Sequence, residues 1–224
     1  MLEPITILVV DNQRIVCRSI RALLTPQPDI LLVGEACCGE DAIRIAHDMA
    51  PDVILIDLNL SGTLNSLETI RLLKHVSPCS QIAGMSTGSN DETVLAVMRA
   101  GALAYIVKHV RAGEMAAMLQ TVARGEAILD QWIACRLLSE TSNEPWSSIS
   151  QPAPLSGHER EILALIAAGY VIPDIAHQLL MSEKTVRNHI SNIVGKFQQA
   201  DRTETALCER REILRREFFV SPPG

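Results

Sequence analysis

Asp52-Val53-Ile54-Leu55-Ile56-Asp57-Leu58-Asn59-Leu60-Ser61-Gly62 is the stretch whose reading decides the fold. Four branched apolar residues in succession are what a strand covered on both faces of a parallel sheet requires. The run delivers one carboxylate, Asp57, to its end, and a turn signal follows. In an open parallel sheet the chemistry lies just beyond the carboxyl ends of the strands. Asp57 therefore stands where a reactive group would stand.

Working outward, strands and helices alternate. Ile5 to Val10 is a short apolar strand ending in Asp11-Asn12, and Gln13 to Leu24 has helical spacing until Pro26 and Pro28 break it. A strand over 30–33, a helix over 40–50, the strand over 53–57 and a helix near 67–75 come next. A strand near 82–85, a helix near 92–100, a strand over 103–107 and a helix near 113–124 complete the series. Gly84 falls inside the fourth strand, where glycine is expected to weaken packing. The alternation predicts an α/β fold, a flavodoxin-like doubly wound sheet of five parallel strands. Right-handed crossovers place the first and third strands side by side, so Asp11 and Asp57 meet at one edge.

The chain has 224 residues, enough for two domains. The expected division is 1–125 for the first, 126–154 for a short helix and a Ser- and Pro-rich linker, and 155–224 for an all-helical second. From Pro154 onward there are 9 Lys+Arg and 9 Asp+Glu, so the net charge of −6 belongs to the preceding part. Bulk charge thus gives no sign of nucleic-acid binding, and any such role needs a localised basic face. No apolar stretch approaches the roughly 20 residues of a membrane span, and the amino terminus lacks a secretory pattern. The cysteines at Cys17, Cys37, Cys38, Cys79, Cys135 and Cys208 show no CxxC or metal-ligand spacing. They read as small core residues of a reducing compartment. A cytoplasmic protein without membrane partners is the expectation.

Four strand ends carry polar residues: Asp11, Asp57, Ser86 and Lys108. A carboxylate that accepts a phosphoryl group needs a divalent cation for the transferring oxygens, a cation for the product phosphate, and a hydroxyl. Val9-Val10-Asp11, Asp57-Leu58-Asn59, Ser86, Ala100-Gly101-Ala102 and Tyr105-Ile106-Val107-Lys108 resemble the receiver domain of two-component response regulators, over about residues 5 to 125. The resemblance implies that Asp57 is the phosphoacceptor for a histidine kinase and Lys108 the phosphate-pairing cation. Ser86 and Tyr105 would be the hydroxyl and aromatic switch residues. Asp11, Asp57 and the backbone carbonyl of Asn59 would be ligands of Mg²⁺.

Some residues depart from that pattern. Asn12 replaces the second of two adjacent acidic residues, which removes a charge from a hard-cation site and should weaken Mg²⁺ binding. Ser61-Gly62 replaces Pro-Gly, the loop at Thr63-Leu64 is one residue longer, and His109 stands in place of a proline. Two readings follow: a receiver phosphorylated on Asp57, or an atypical receiver controlled without phosphorylation. A small phosphohydrolase-like enzyme attacking through Asp57 is a further alternative, although no second acid/base is visible and the carboxyl-terminal part is left unexplained.

In that part, Leu155 to Leu163 opens a helix capped by Ser156 and ended by Gly169, and Pro173 suits the first turn of the next. Met181-Ser182-Glu183 caps a third helix to about Phe197. Val186, Ile190, Ile193, Val194 and Phe197 share one face of it; Lys184, Arg187, Asn188 and Ser191 share another. The polar residues are types that read base edges and phosphates, or an ordinary solvated face. Leu155-Ser156, Glu159-Arg160-Glu161, Ile175-Ala176, the run Ser182 to Ile190 and Asp201-Arg202-Thr203-Glu204 resemble the LuxR-type helix-turn-helix. Together with a receiver they resemble the NarL/FixJ group of response regulators. The resemblance implies a homodimeric transcription regulator binding double-stranded DNA. Arg187, Asn188 and Ser191 would approach bases, and Lys184, Thr185 and Lys196 would hold phosphates. Val171-Ile172-Pro173 replaces Ser-Asn-Lys, so affinity is expected to be modest, and a helix-turn-helix kept only for interaction is the alternative. Beyond Thr203 a last helix is expected through Leu207, Ile213, Leu214 and Phe218. Arg210, Arg211, Arg215 and Arg216 would form a solvated or phosphate-tracking face on it.

Overall fold

The computed structural model describes residues 3–88, 91–142 and 154–199. The first part runs β1 (Ile5–Val10), α1 (Arg14–Leu24), β2 (Ile30–Ala36), α2 (Gly39–Met49), β3 (Val53–Asp57), α3 (Ser66–Val76), β4 (Gln81–Ser86), α4 (Asp91–Ala100), β5 (Ala102–Val107) and α5 (Ala112–Ala123). The strands form one parallel sheet in the order β2-β1-β3-β4-β5. All five residues of β3 are buried, because helices cover both sides of the sheet.

Strand parity sorts the core into two layers. Ile7, Val9, Val53, Leu55, Met85 and Ile106 face α1 and α5, while Leu8, Val10, Ile54, Ile56 and Ile82 face α2, α3 and α4. Gly84 has a different role from the expected weak point. A Cβ there would meet Leu58 Cδ2 at 2.7 Å and Val97 Cγ1 at 3.3 Å, so the glycine lets the β3–α3 connection close onto β4. β2 also runs three residues past its expected end, paired to β1 as far as Val10 with Ala36.

After α5, the short helix expected near 130–138 forms as α6 (Gln131–Ser142), and it runs on past Leu138 into the stretch expected to be linker. Ile133, Ala134 and Leu137 are buried and pack it against α7 (Gly157–Ala167). α7 begins with a capping box between Ser156 and Glu159. Gly169 ends it with φ of 90°, a left-handed conformation suited to glycine. α8 (Ile172–Gln178) carries Pro173 in its first turn. A short turn through Leu180 leads to α9, helical over 183–199, with Ser182 Oγ accepting from Thr185 N. Val186, Ile190, Ile193, Val194 and Phe197 are all buried, the face expected from their spacing. The expected last helix through Leu207, Ile213, Leu214 and Phe218, with its arginines, lies outside the described residues.

Candidate functional site: an acidic strand-end centre and a helix-turn-helix

Register brings the strand-end residues together. Val10 lies opposite Ile56, so Asp11 and Asp57, each one residue further on, become neighbours. Ser86 lies opposite Val107, and the Lys108 N–H donates to the Ser86 carbonyl (2.8 Å). Asp11 and Asp57 are 0% and 1% exposed. Lys108 reaches both, its Nζ 2.6 Å from Asp11 Oδ2 and 3.2 Å from Asp57 Oδ1. Two carboxylates this close and this dry repel one another, and the shared ammonium supplies the compensating charge.

The remaining oxygens are differently used. Asp11 Oδ1 accepts from Gln13 N (2.8 Å) and Asp57 Oδ1 from Asn59 N (3.2 Å). Asp57 Oδ2 makes no hydrogen bond among the described residues. Ser86 Oγ donates to the Gly88 carbonyl (2.8 Å) and lies 3.4 Å from Asn59 Nδ2. The Tyr105 hydroxyl is buried beside Ser86, close enough to be influenced by it but without a hydrogen bond of good geometry. Burial raises its pKa.

The oxygen donors of Asp11, Asp57 and the Asn59 carbonyl suit a hard divalent cation. They fit Mg²⁺ with one carboxylate fewer than two adjacent acids would give. Among the described residues no group of three or more His, Cys, Asp or Glu is arranged to hold a metal. Asn12, in the position of the missing acid, instead donates from Nδ2 to Ser61 Oγ (3.0 Å). That hydrogen bond ties the loops after β1 and β3 together, and nothing in either loop's composition signalled it. Cys17 was equally unexpected at the centre: its Sγ donates to the Asp11 carbonyl (3.5 Å). Burial, with Asp11, Glu35 and Cys37 nearby, pushes its thiol up to about 11.

In the helical part, Lys184 and Asn188 are exposed, and Thr185 is bonded to Ser182 through their hydroxyls (2.8 Å). Arg187 pairs with Glu183 at 2.7 Å. Two expected DNA contacts are turned elsewhere in this arrangement. Lys196 Nζ donates to Glu159 Oε2 (2.6 Å) and to the Pro154 carbonyl (3.1 Å), because a 4% exposed carboxylate requires a counter-charge. Ser191 Oγ accepts from Ala127 N (2.9 Å), at the receiver side of the chain. The same junction holds Gln131 Nε2 donating to the Ala167 carbonyl (3.1 Å) and Gln198 Nε2 to the Ala102 carbonyl (3.0 Å). A cavity of about 570 Å³ lies between α5 and the helical part, with Met118 and Thr121 on one wall, Tyr170 and Val171 on the other, and Arg187 at its edge.

A five-stranded parallel sheet with this strand-end set, joined to a helix-turn-helix, defines a class. Residues 7–120 match the family described as response regulator receiver domain, and residues 153–208 match bacterial regulatory proteins of the luxR family. The chain belongs to the response regulators that join a receiver to a LuxR-type DNA-binding domain. Among its relatives, the transcriptional regulatory protein LiaR of Bacillus subtilis is 33% identical over 94% of this chain and 99% of its own length. The nitrate/nitrite response regulator NarL of Escherichia coli K12 is 32% identical over 94% and 97%. The response regulator VraR of Staphylococcus aureus is 32% identical over 91% and 95%. Among solved structures, the RcsB response regulator of Salmonella typhimurium superposes with a TM-score of 0.54 at 22% identity, covering 88% of this chain and 93% of that one. The fold is therefore shared over both domains.

Proposed function

We propose that Asp57 accepts a phosphoryl group from a histidine kinase and that this controls DNA binding by α9. One observation carries the reading: a single ammonium, Lys108, spans two buried carboxylates, Asp11 and Asp57, at the carboxyl ends of adjacent strands. Asp11, Asp57 and the Asn59 carbonyl are the residues that would hold Mg²⁺. Bound there, a divalent cation would neutralise charge on the transferring oxygens. In the product, Lys108 exchanges its contact with Asp57 Oδ1 for the phosphate, and the Ser86 hydroxyl leaves the Gly88 carbonyl to donate to a phosphate oxygen. Tyr105 then has a vacated partner beside its unsatisfied hydroxyl.

The output follows from where α9 sits. Arg187 and Ser191 lie against the receiver side in this arrangement, so the face that would read bases is partly covered. Phosphorylation would favour the separated arrangement, releasing Arg187, Asn188 and Ser191 for bases with Lys184 and Thr185 for phosphates. Two copies would engage two half-sites as a homodimer. We read the chain as a regulator in the cytoplasm and not as an enzyme; among the described residues no helix is long and apolar enough to cross a membrane.

Acetyl phosphate with Mg²⁺, followed by intact mass, is the test. An adduct of one phosphoryl group that disappears in Asp57→Asn is expected. Its absence in the unaltered chain would refute the reading and favour control without phosphorylation, the alternative that the Asn12–Ser61 hydrogen bond supports.

A further inference from the structure

Cys17 and Cys37 show no pairing motif in the sequence, yet the fold brings them to one recess. This recess of about 270 Å³ is lined by Arg14, Cys17, Arg18, Glu35 and Cys37. Cys17 comes from the inner face of α1 and is 2% exposed, whereas Cys37 follows β2 and is exposed. Strand parity accounts for the meeting: Ala36 packs in the layer under α2 and α3, so the next residue turns to the α1 side. Both thiols flank the backbone that carries Asp11. Cys17 Sγ donates to the Asp11 carbonyl (3.5 Å), and the Asp11 N–H donates to the carbonyl of Ala36, the residue before Cys37 (3.0 Å).

We propose that Cys17 and Cys37 form a reversible disulfide when a hydroperoxide is present, and that this link suppresses phosphoryl loading of Asp57 by removing the hydrogen bond from Cys17 to the backbone of Asp11. The gating half rests on the receiver reading above; the link itself does not. Cys37 is the first to react, since it is exposed to the oxidant whereas Cys17 is buried. Its sulfur attacks one peroxide oxygen and the O–O bond breaks, giving the Cys37 sulfenic acid and one water or alcohol. The Cys17 sulfur then attacks the Cys37 sulfur, the S–O bond breaks, and hydroxide leaves with the Cys17 proton as water. Two thiols are oxidised by two electrons and one hydroperoxide is reduced. A disulfide sulfur carries no hydrogen, so closing the bond abolishes the hydrogen bond that Cys17 donates to the Asp11 carbonyl. In a reducing compartment such a bond is transient, as a sensing disulfide must be.

The test uses the full chain, treated with hydrogen peroxide, blocked with N-ethylmaleimide and mapped by mass spectrometry. A Cys17–Cys37 linked peptide lacking two hydrogens is expected. It should be lost in Cys17→Ser and Cys37→Ser, kept in Cys38→Ser, and reversed by dithiothreitol. A Cys37–Cys38 link, a bond between chains, or over-oxidation of Cys37 without a link would overturn the pairing. Phosphoryl loading from acetyl phosphate is then compared between oxidised and reduced chains. A fall on the order of tenfold on oxidation, absent in Cys37→Ser, supports gating. A mapped link with unchanged loading overturns gating. No loading in the reduced chain overturns both gating and the receiver reading, while the mapped link stands.

Discussion

At the scale of single residues, charge and backbone geometry make separate demands. Asn12 leaves the acidic centre with two carboxylates where a third charge would help a hard cation. Asn12→Asp should tighten Mg²⁺ binding on the order of tenfold, read by titration calorimetry; unchanged affinity would show that charge count does not limit the site. Leu180 presents the opposite case. It is 94% exposed and has φ of 53°, so it gains nothing from burial and carries a left-handed backbone that a branched residue disfavours. Leu180→Asn should stabilise the helical domain by about 0.5–1 kcal/mol, visible as a higher urea midpoint with unchanged slope. Tyr170 and Val171 are also exposed, but they line the cavity facing α5.

At the scale of elements, α7 and α9 are joined through Glu159 and Lys196. Burial alone would raise the Glu159 pKa, but the hydrogen bonds from Lys196 and Ser156 outweigh it and hold the carboxyl below its ordinary 4.5. A folded-state pKa below the unfolded value stabilises the domain above the unfolded value, and that contribution is lost as pH falls through the depressed one. Urea unfolding across an acid series should therefore show a loss of stability below about pH 4.5 that Glu159→Gln lacks. Lys196→Met leaves the carboxylate buried without its partner and should cost about 3 kcal/mol at neutral pH. For the outer face of α9, Arg187→Ala and Asn188→Ala should each weaken specific DNA binding by about 1–3 kcal/mol in a mobility-shift titration. Specific binding that survives both substitutions would move the reading face elsewhere.

At the scale of the whole molecule, receiver and helix-turn-helix share one continuous apolar cluster, with a few hydrogen bonds across the junction. Gln198 bridges from α9 to the Ala102 carbonyl of β5, and such a neutral hydrogen bond contributes about 1 kcal/mol. Removing it, in Gln198→Ala, should raise the separated population on the order of fivefold. Tighter DNA binding without phosphorylation is the expected readout; equal affinity would show that the junction does not cover the reading face.

The sequence by itself determined the local content of this molecule. The apolar run ending in Asp57, the alternation of strands and helices, and the 3–4 spacing of Val186 to Phe197 follow from burial and periodicity, which act between near neighbours. Asp11, Ser86 and Lys108 were legible for the same reason, since each ends a strand whose place the alternation assigns. Only the tertiary structure decided what those residues touch. Lys108 on both carboxylates, Asn12 on Ser61, Gly84 beneath Leu58, Lys196 on Glu159 and Ser191 on Ala127 all join positions distant in the chain. No periodicity encodes such pairs. They arise when packing removes water and each buried charge or donor must find its partner inside the fold.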